Sequence, residues 1–488
     1  MIEVKEIGWQ FEDSYTTLAD KFFTFTNPNP VKSPDWVMIN EDLANELGLN
    51  INHLKNVEGL RALSGNQIPR GSKPIAQAYA GHQFGYFTIL GDGRAILLGE
   101  QITPNKSRFD IQLKGAGKTP YSRGGDGRAA LGPMLREYLI SEAMYGLGIP
   151  TTRALAVVTT GEQVMREQAL PGAVLTRVAS SHLRVGTFQF ARQFGTIQEL
   201  KQLADYAISR HYPHLTELRN KYILFLKEVI ENQAKLVAKW DLVGFVHGVM
   251  NTDNMTISGE TIDYGPCAFI DQYNPSTVFS SIDQHGRYAY NQQKPVAIWN
   301  LARLAESLLP ILAEDKSHAI NQAQSLLKSF SDVYDHAWTV GMKAKLGFFE
   351  VTNVEQSFIE EFLNLMNKFQ ADYTDTFRAL TVNDFSRQKW FKSKEFKHWF
   401  SKWEQKIAQQ TASKEDITRL MRRSNPMIIP RNYLVEDVLE KAVKDGDYEP
   451  FTKLHLALKN PYAYSNEQLA YINLPPESDQ RYQTFCGT

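Results

Sequence analysis

The order of strand and helix patterns along this chain of 488 residues constrains its fold more than any other feature. Between residues 71 and 160, apolar and β-branched runs alternate with glycines and polar turn residues, a pattern typical of strands. After residue 178 the chain is mainly helical. In residues 222–240, for example, apolar side chains recur on one helical face with Lys and Glu between them. A strand-rich part followed by a longer helix-rich part predicts an α+β protein with two lobes.

Local periodicity and turn residues indicate the bounds of individual elements. A four-residue recurrence of Leu and Ala predicts a helix over 131–146. The tetrapeptide Gly91-Asp92-Gly93-Arg94 is expected to form the tip of a hairpin between strands at 86–90 and 95–98. The remaining expected elements are helices at 40–49, 296–313 and 318–345 and strands at 153–158, 174–178, 243–246 and 255–257.

Composition narrows the class of protein. With 43% hydrophobic and 22% charged residues, the chain has an ordinary globular composition. Lys and Arg number 53 against 54 Asp and Glu, a net charge of -1, so no basic excess indicates nucleic acid. No apolar run approaches the roughly 18 residues of a membrane span, and the N-terminus lacks a signal-peptide core. We therefore expect a cytoplasmic monomer without nucleic-acid or membrane partners.

Cysteine and histidine usage excludes two kinds of site. The only cysteines, Cys267 and Cys486, are too few for a disulfide scaffold or a multi-cysteine metal site. No His-x-x-x-His motif occurs, so zinc is not expected.

The chain is expected to divide into four parts. They are an N-terminal extension (1–70), a strand-rich lobe (71–165), a helical lobe with a metal loop (166–390), and a C-terminal helical extension and tail (391–488). After Lys389, aromatic residues are interleaved with lysines, which is also found on nucleic-acid surfaces. Their helical spacing favours a core face instead.

The stretch from His247 to Asn254, His-Gly-Val-Met-Asn-Thr-Asp-Asn, is followed by Asp263 in Asp-Tyr-Gly-Pro and carries the most specific chemical signal. Kinase-type enzymes hold Mg²⁺ against ATP phosphates with Asn and Asp oxygen ligands that lie close together. Asn254 and Asp263, nine positions apart, are the expected metal ligands, in a tight turn between two short strands. Small-molecule kinases place the catalytic Asp two residues after such a His. Here that position is Val249, which cannot accept a proton.

Lys114 ends a strand predicted at 109–113, and Glu137 lies on the helix that follows. In kinases a strand Lys pairs with a helix Glu and is thereby aimed at the phosphates. A solvated Lys and a surface Glu are the alternative. Asp253 is the only carboxylate inside the loop, which makes it the candidate general base. Together these features predict a protein-kinase-like two-lobed fold with N-terminal and C-terminal helical extensions.

Several long motifs resemble those of the selenoprotein O family. They are Lys114 to Arg128 (Lys-Gly-Ala-Gly-Lys-Thr-Pro-Tyr-Ser-Arg-Gly-Gly-Asp-Gly-Arg), His247 to Asn254, Asp263 to Pro266, Asp283 to Tyr288 and the C-terminal Cys486. The resemblance covers nearly the whole chain. It implies a kinase-like fold that binds ATP in a flipped orientation with Mg²⁺, or Mn²⁺. It also implies transfer of AMP, rather than the γ-phosphate, to hydroxyl side chains of proteins.

The same resemblance implies roles for individual residues. The implied nucleotide contacts are Gly91, Gly93, Arg94, Asp126, Gly127, Arg177 and Arg184. It also assigns the general base to Asp253, and Lys118 is expected as a second phosphate contact. Without the resemblance, Gly91 to Arg94 is an ordinary turn, and the two arginines after residue 170 are a surface pair.

Two further features leave alternatives open. His285 and Arg287 lie where a kinase has its activation segment, and they either contact substrate or fix that segment. The family often carries Cys or selenocysteine near its C-terminus, which suggests redox chemistry. Here the residue is Cys486, so a disulfide with Cys267 and a pair of free thiols are both open.

The favoured function is an ATP- and Mg²⁺-dependent protein adenylyltransferase that modifies Ser, Thr or Tyr hydroxyls. A kinase that transfers the γ-phosphate is disfavoured by Val249. A non-catalytic nucleotide-binding scaffold is disfavoured because it has no need to keep both metal ligands, Asn254 and Asp263.

Overall fold

A computed structural model of the protein describes residues 6–349, 354–475 and 482–484. The strands of these residues are β1 (Phe11–Glu12), β2 (Phe23–Phe25), β3 (Asp35–Ile39), β4 (Ile75–Gln77), β5 (Ala80–Gln83), β6 (Tyr86–Ile89), β7 (Ala95–Ile102), β8 (Arg108–Lys114), β9 (Ala129–Ala130), β10 (Arg153–Met165), β11 (Ala169–Ala179), β12 (Phe245–Val246) and β13 (Ala268–Phe269). Nine of these described strands form one antiparallel sheet in the order β2–β4–β7–β8–β11–β10–β3, with β1 beside β7 and β9 beside β11. β5–β6 and β12–β13 form two small separate sheets.

Helices make up most of the second half of the chain. The helices of the described residues are α1 (Glu41–Glu46), α2 (Ile51–Leu54), α3 (Val57–Leu63), α4 (Leu131–Gly146), α5 (Val185–Phe194), α6 (Ile197–His211), α7 (Lys221–Val243), α8 (Gln293–Leu312), α9 (Lys316–Lys345), α10 (Gln356–Lys368), α11 (Tyr373–Val382), α12 (Lys394–Ala408), α13 (Lys414–Ser424), α14 (Asn432–Lys444) and α15 (Glu449–Leu458). The predicted helices are all present, and α4 has the predicted bounds. Asn40 caps α1 by accepting a hydrogen bond from the backbone N–H of Leu43. In α12, Phe396 and Trp399 are buried, which confirms the core face.

The hairpin predicted around Gly91 to Arg94 is wrong. β6 pairs with β5, and the turn between them is Phe84-Gly85, both with positive φ. β7 pairs instead with β8 and β4 of the large sheet. Residues 91–94 therefore cross from the small sheet to the large one. Local pattern does not reveal this, because strand pairing depends on residues far along the chain.

The strand predicted at 255–257 is also absent. β12 pairs with β13, which follows Asp263, so Asn254 and Asp263 lie in a longer connection than the predicted tight turn. The backbone around 256 pairs instead with residues 183–185 at the start of α5. Val185 N–H donates to Met255 O, and Ile257 N–H donates to Leu183 O, each at 2.9 Å. The loop is thus held from two sides.

The first 70 residues take part in the large sheet. β1 pairs with β7, β2 with β4 and β3 with β10. Leu43, Leu54 and Leu63 of α1–α3 share a core with Ile111 and Leu113 of β8. The four predicted parts of the chain remain predictions, but the sheet continues across the boundary at residue 70.

The combination of a large antiparallel sheet with a longer helical region agrees with the predicted α+β class. α4 packs on β10 and β11, so the sheet carries a buried helix on one face. Among the described residues, none of the helices combines the length and apolar character that crossing a membrane requires.

A buried ion pair ties the helical region to the strand that follows Asp263. Arg431, before α14, donates to Asp372 at 2.7 and 3.0 Å and to Asp271 at 2.7 Å. Asp271 follows β13 and Asp372 caps α11, so one guanidinium joins three elements.

We expect Arg431→Met to lower the free energy of unfolding by about 3–5 kcal/mol, because two carboxylates lose a buried partner. Urea denaturation followed by circular dichroism measures this. Lys441→Met removes an exposed pair with Asp437 on α14 and should leave the midpoint unchanged. Equal midpoints for the two variants would contradict a stabilising role of the Arg431 ion pair.

Candidate active site

Lys114, the last residue of β8, and Glu137 on α4 form a buried ion pair. The Lys114 Nζ lies 2.5 Å from Glu137 Oε2 and 2.7 Å from Asp263 Oδ1. The strand and the helix bring them together because Lys114 stands opposite Leu175 of β11, and α4 packs on that strand. One ammonium group thus connects the sheet, the helix and the loop that reaches Asp263.

Asp263 receives the other cations of the cluster. Arg177, on β11, approaches its Oδ1 at 3.0 Å, and Arg184 approaches its Oδ2 at 3.5 Å. Its backbone is left-handed, with φ of 64°, which is uncommon outside glycine and often found at functional sites. Burial raises the pKa of Asp263, but the neighbouring cations outweigh burial and hold that pKa well below its usual range. The carboxylate is therefore ionised throughout the physiological pH range.

Arg184 also connects this cluster to Asp253 and Asp92. Its Nη1 donates to the backbone O of Asp253 at 2.9 Å, and its guanidinium lies 4.5 Å from the ring centroid of Tyr79. Its Nη2 is 3.8 Å from Oδ1 of Asp92, an oxygen without a hydrogen-bond partner among the described residues. Burial raises the pKa of Asp92 to about 6. The sequence alone does not single out Asp92, because an Asp between two glycines is typical of a turn.

Asp253, the candidate base, lies in the short 3-10 turn Thr252–Asn254 and is buried against β5 and α5. A Cβ on Gly81 would lie 2.4 Å from its Oδ1, so only glycine lets the strand approach this closely. Oδ1 has no hydrogen-bond partner within the described chain. Burial raises the pKa of Asp253 to about 6, against the opposing charge of Arg184. Such a carboxyl is largely ionised at neutral pH and still basic enough to accept a proton.

The loop itself is ordered by hydrogen bonds to buried groups. Asn254 Nδ2 donates to the backbone O of Val249 at 3.0 Å, which leaves Asn254 Oδ1 as the acceptor available to a ligand. His247 Nε2 lies 2.9 Å from the backbone O of Ile262, and the His247 N–H donates to Gln293 Oε1 at 3.0 Å. Burial lowers the pKa of His247. This histidine therefore joins the two ends of the loop as a neutral side chain.

A cavity of about 560 Å³ opens beside these residues. Of the predicted site residues, Gly91, Gly93, Arg94, Lys114, Asp126, Gly127, Arg177, Arg184 and Asp263 line it. Glu137 and Asp253 lie just behind the wall, in contact with Lys114 and Arg184. Lining residues that sequence reasoning missed are Tyr79, Gln83, Asp92, Tyr121, Arg123, Arg128 and Arg166. Seven cationic side chains face three carboxylates there, which suits a polyanionic ligand.

Known proteins resemble this chain over its full length. A family profile described as protein adenylyltransferase SelO matches residues 5–459. The protein nucleotidyltransferase YdiU of Geobacillus kaustophilus is 59% identical over 483 residues, covering 99% of this chain and 100% of the relative. The Bacillus mycoides protein of that name is 59% identical over 488 residues, covering 100% of both chains.

The chain belongs to the SelO family. The resemblance seen in the motifs is thus confirmed, and the protein is an enzyme of the nucleotidyltransferase class. The roles assigned to individual residues remain predictions, for which the geometry supplies the physical setting.

Asp126 and Lys118, two predicted nucleotide contacts of this SelO-family chain, differ in their position relative to the cavity. Asp126 lies on the cavity wall, but its carboxylate already accepts hydrogen bonds from Arg166 Nη1 and from the backbone N–H of Arg128, each at 2.9 Å. Lys118 is exposed and lies outside the cavity lining; its backbone N–H donates to Asn29. The structure thus does not bring Lys118 to the other cations.

Cys267 and part of the C-terminal segment lie near the loop that carries Asp263. Cys267 is a buried free thiol, and burial raises its pKa to about 12. Cys486 lies outside the described residues, so a disulfide with Cys267 and a pair of free thiols both stay open. Thr484 nevertheless docks beside the loop, because its Oγ1 donates to the backbone O of Pro266 at 2.7 Å and its N–H donates to Phe279 O at 2.8 Å.

Gly81→Ala tests how closely β5 packs on the loop from His247 to Asn254. We expect the added Cβ to displace Asp253, to cost about 1–3 kcal/mol of stability, and to speed hydrogen exchange at the amides of His82 and Phe84, which donate to the loop. Exchange mass spectrometry measures this. Gly132→Ala on α4 would meet only Val443, at 3.5 Å, and is the matched control. Unchanged exchange in the Gly81 variant would contradict the contact.

Proposed function

We propose that this chain is an ATP- and Mg²⁺-dependent protein adenylyltransferase that transfers AMP to a Ser, Thr or Tyr hydroxyl of an acceptor protein. Membership of the SelO family supports nucleotidyl transfer to proteins. The observation that carries the finer proposal is the cationic cavity around Asp263 with the buried carboxylate of Asp253 beside it. A kinase-like arrangement of the two lobes is part of the proposal, and the ion pair of Lys114 with Glu137 supports it.

In this proposal the chain's own residues bind, orient and accept a proton. Lys114, Arg177 and the other cations hold the phosphates. The acceptor oxygen attacks the α-phosphorus, a P–O bond forms, and the bond between the α-phosphorus and the bridging oxygen breaks. Pyrophosphate leaves with the electron pair of that bond. The hydroxyl proton passes to the carboxylate of Asp253. The raised pKa of this carboxyl, about 6, suits it to accept a proton.

The residues at the loop fit a divalent metal ion. Asn254 offers an amide oxygen, because its Nδ2 is engaged by the Val249 carbonyl, and Asp263 offers an ionised carboxylate. No three His, Cys, Asp or Glu side chains of the described residues cluster to hold a metal. Phosphate oxygens and water therefore have to complete the coordination of Mg²⁺ or Mn²⁺. When bound, the ion supplies positive charge against the phosphates.

Two other functions make different use of the same site. A kinase would need a base next to the γ-phosphate, and Val249 takes that position in the loop. A non-catalytic scaffold would bind nucleotide without needing a buried carboxylate such as Asp253 beside it.

Incubation with ATP labelled at either the α- or the γ-phosphate separates these functions. We expect the α-label, and none of the γ-label, to appear on protein, and Asp263→Ala to abolish labelling by at least about 100-fold, because the cations lose their partner and the metal a ligand. Electrophoresis with autoradiography measures this. Transfer of label from the γ-position would contradict the proposal and indicate a kinase. The absence of label from either position would indicate a scaffold.

Arg94 tests the cationic wall. It lines the cavity and forms no ion pair with the described residues, so its charge is available to phosphate. Arg94→Met should weaken ATP binding by about tenfold or more, measured by titration calorimetry. Arg419→Met, an exposed change on α13, is the control. An unchanged Kd for Arg94→Met would show that the phosphates lie elsewhere.

A further inference from the structure

The small β5–β6 sheet lies directly on the loop from His247 to Asn254. The backbone N–H of His82 donates to Thr252 Oγ1 at 2.6 Å, and that of Phe84 donates to Asn251 Oδ1 at 3.1 Å. Gly81 packs on Asp253. β5 therefore has the loop along one edge and β6 along the other, so β6 lies one strand away from the loop.

The outer edge of β6 has free backbone groups. Hydrogen bonds alternate along an antiparallel pair, so every second residue faces its partner strand. Leu90 N–H donates to Tyr79 O at 2.9 Å, which sets the alternation for the rest of the pair. Phe87 and Ile89 then direct their N–H and C=O groups away from β5. Among the described residues, β6 pairs with no strand other than β5.

Apolar side chains accompany this open edge. Tyr86, Phe87 and Ile89 are 80%, 43% and 54% exposed. Phe87 shares a face with His82, whose ring lies 5.4 Å from the Phe87 ring and 5.3 Å from that of Trp299, on α8. We call Phe87, Ile89 and Trp299 the apolar patch.

Two arginines flank the apolar patch. The guanidinium carbons of Arg287 and Arg303 lie 4.8 and 4.9 Å from the ring centroid of Trp299. The Nε atoms of both are buried and have no hydrogen-bond partner among the described residues. Arg303 is paired with Glu306 at 2.7 Å, whereas Arg287 forms no ion pair within the described chain. The patch thus combines apolar contact with an unneutralised positive charge.

We propose that the free edge of β6 binds an extended segment of the acceptor protein as an added strand. An apolar side chain of that segment packs on the apolar patch, and an acidic one pairs with Arg287. The proposal rests on the proposed function, which requires a protein hydroxyl next to Asp253. Strand addition supplies affinity through the backbone, while pockets for alternate side chains supply specificity.

The geometry also sets the distance between docking residue and hydroxyl. An added strand lies two strand spacings, roughly 9–10 Å, from β5. The chain must also pass from the face of the apolar patch to the opposite face of the small sheet, where Gly81 meets Asp253. An extended chain needs at least about three residues for this path. The acceptor hydroxyl is therefore expected three or more residues from the apolar docking residue, outside the paired segment.

An arrayed positional-scanning library of short peptides, each with a central Ser, Thr or Tyr, tests this. The same array is probed for binding of fluorescently tagged enzyme and for incorporation of label from α-labelled ATP. We expect about a tenfold preference for an apolar residue at one fixed position, three or more residues from the hydroxyl, and a preference for Asp or Glu nearby. N-methylation of the peptide should block binding at every second position only, as strand pairing requires.

Two variants and a control assign the preferences to residues. Ile89→Lys should remove the apolar preference, and Arg287→Glu should replace the acidic preference with a basic one. Leu469→Lys changes a side chain that is 51% exposed, between Glu467 and Tyr471, and should keep both preferences.

Preferences that persist in Ile89→Lys, or N-methyl effects without alternation, would overturn the docking surface. Dimerisation lost in Ile89→Lys would overturn it in favour of a second copy. Selective binding without any labelling would instead leave the surface in place and count against adenylyl transfer.

Discussion

The charge balance around Asp263 is the constraint on which the rest of the site depends. Lys114, Arg177 and Arg184 all approach this carboxylate, and each is nearly inaccessible to water. A buried cation without a partner is strongly destabilising, so the arrangement requires the loop to deliver Asp263 to this point. Glu137 supplies the second carboxylate, and Asp92, 3.8 Å from Arg184, supplies a third.

Backbone pairing places these charges. Arg177 stands opposite Gln112 in the β8–β11 register, and Gln112 accepts hydrogen bonds from its guanidinium at 2.7 and 3.3 Å. The loop reaches Asp263 because its two ends are joined by His247 and its start is fixed by Gln293. The large sheet therefore determines where Lys114 and Arg177 lie, the start of α5 determines where Arg184 lies, and the helical region determines where the carboxylate lies. Neither half forms this site alone.

The parts of the fold that depend on local periodicity were predictable, and those that depend on distant pairing were not. The four-residue recurrence in α4 predicted its bounds, and strand–helix order predicted the pair of Lys114 with Glu137. The same reasoning made Gly91 to Arg94 a hairpin tip, because the residues that pair with its flanking strands lie elsewhere in the chain. Arg166 was missed for a similar reason, since its partner Asp126 is 40 residues away.

Val249 and Asp253 contribute to the loop in different ways, one through its backbone and the other through a buried carboxylate. Val249 contributes through its backbone, since its carbonyl orients Asn254 and its N–H points at His247 Nδ1, 3.4 Å away. Neither interaction needs a carboxylate side chain at this position. The buried carboxylate is provided four residues later, where Gly81 lets β5 approach and Arg184 binds the backbone O of Asp253. Asp253 adjoins the β5–β6 sheet, in which β5 packs on the group proposed to take the acceptor's proton and β6 carries the proposed docking edge. Acceptor choice and proton transfer are then coupled through one small sheet, and substitutions in β5 are expected to affect both.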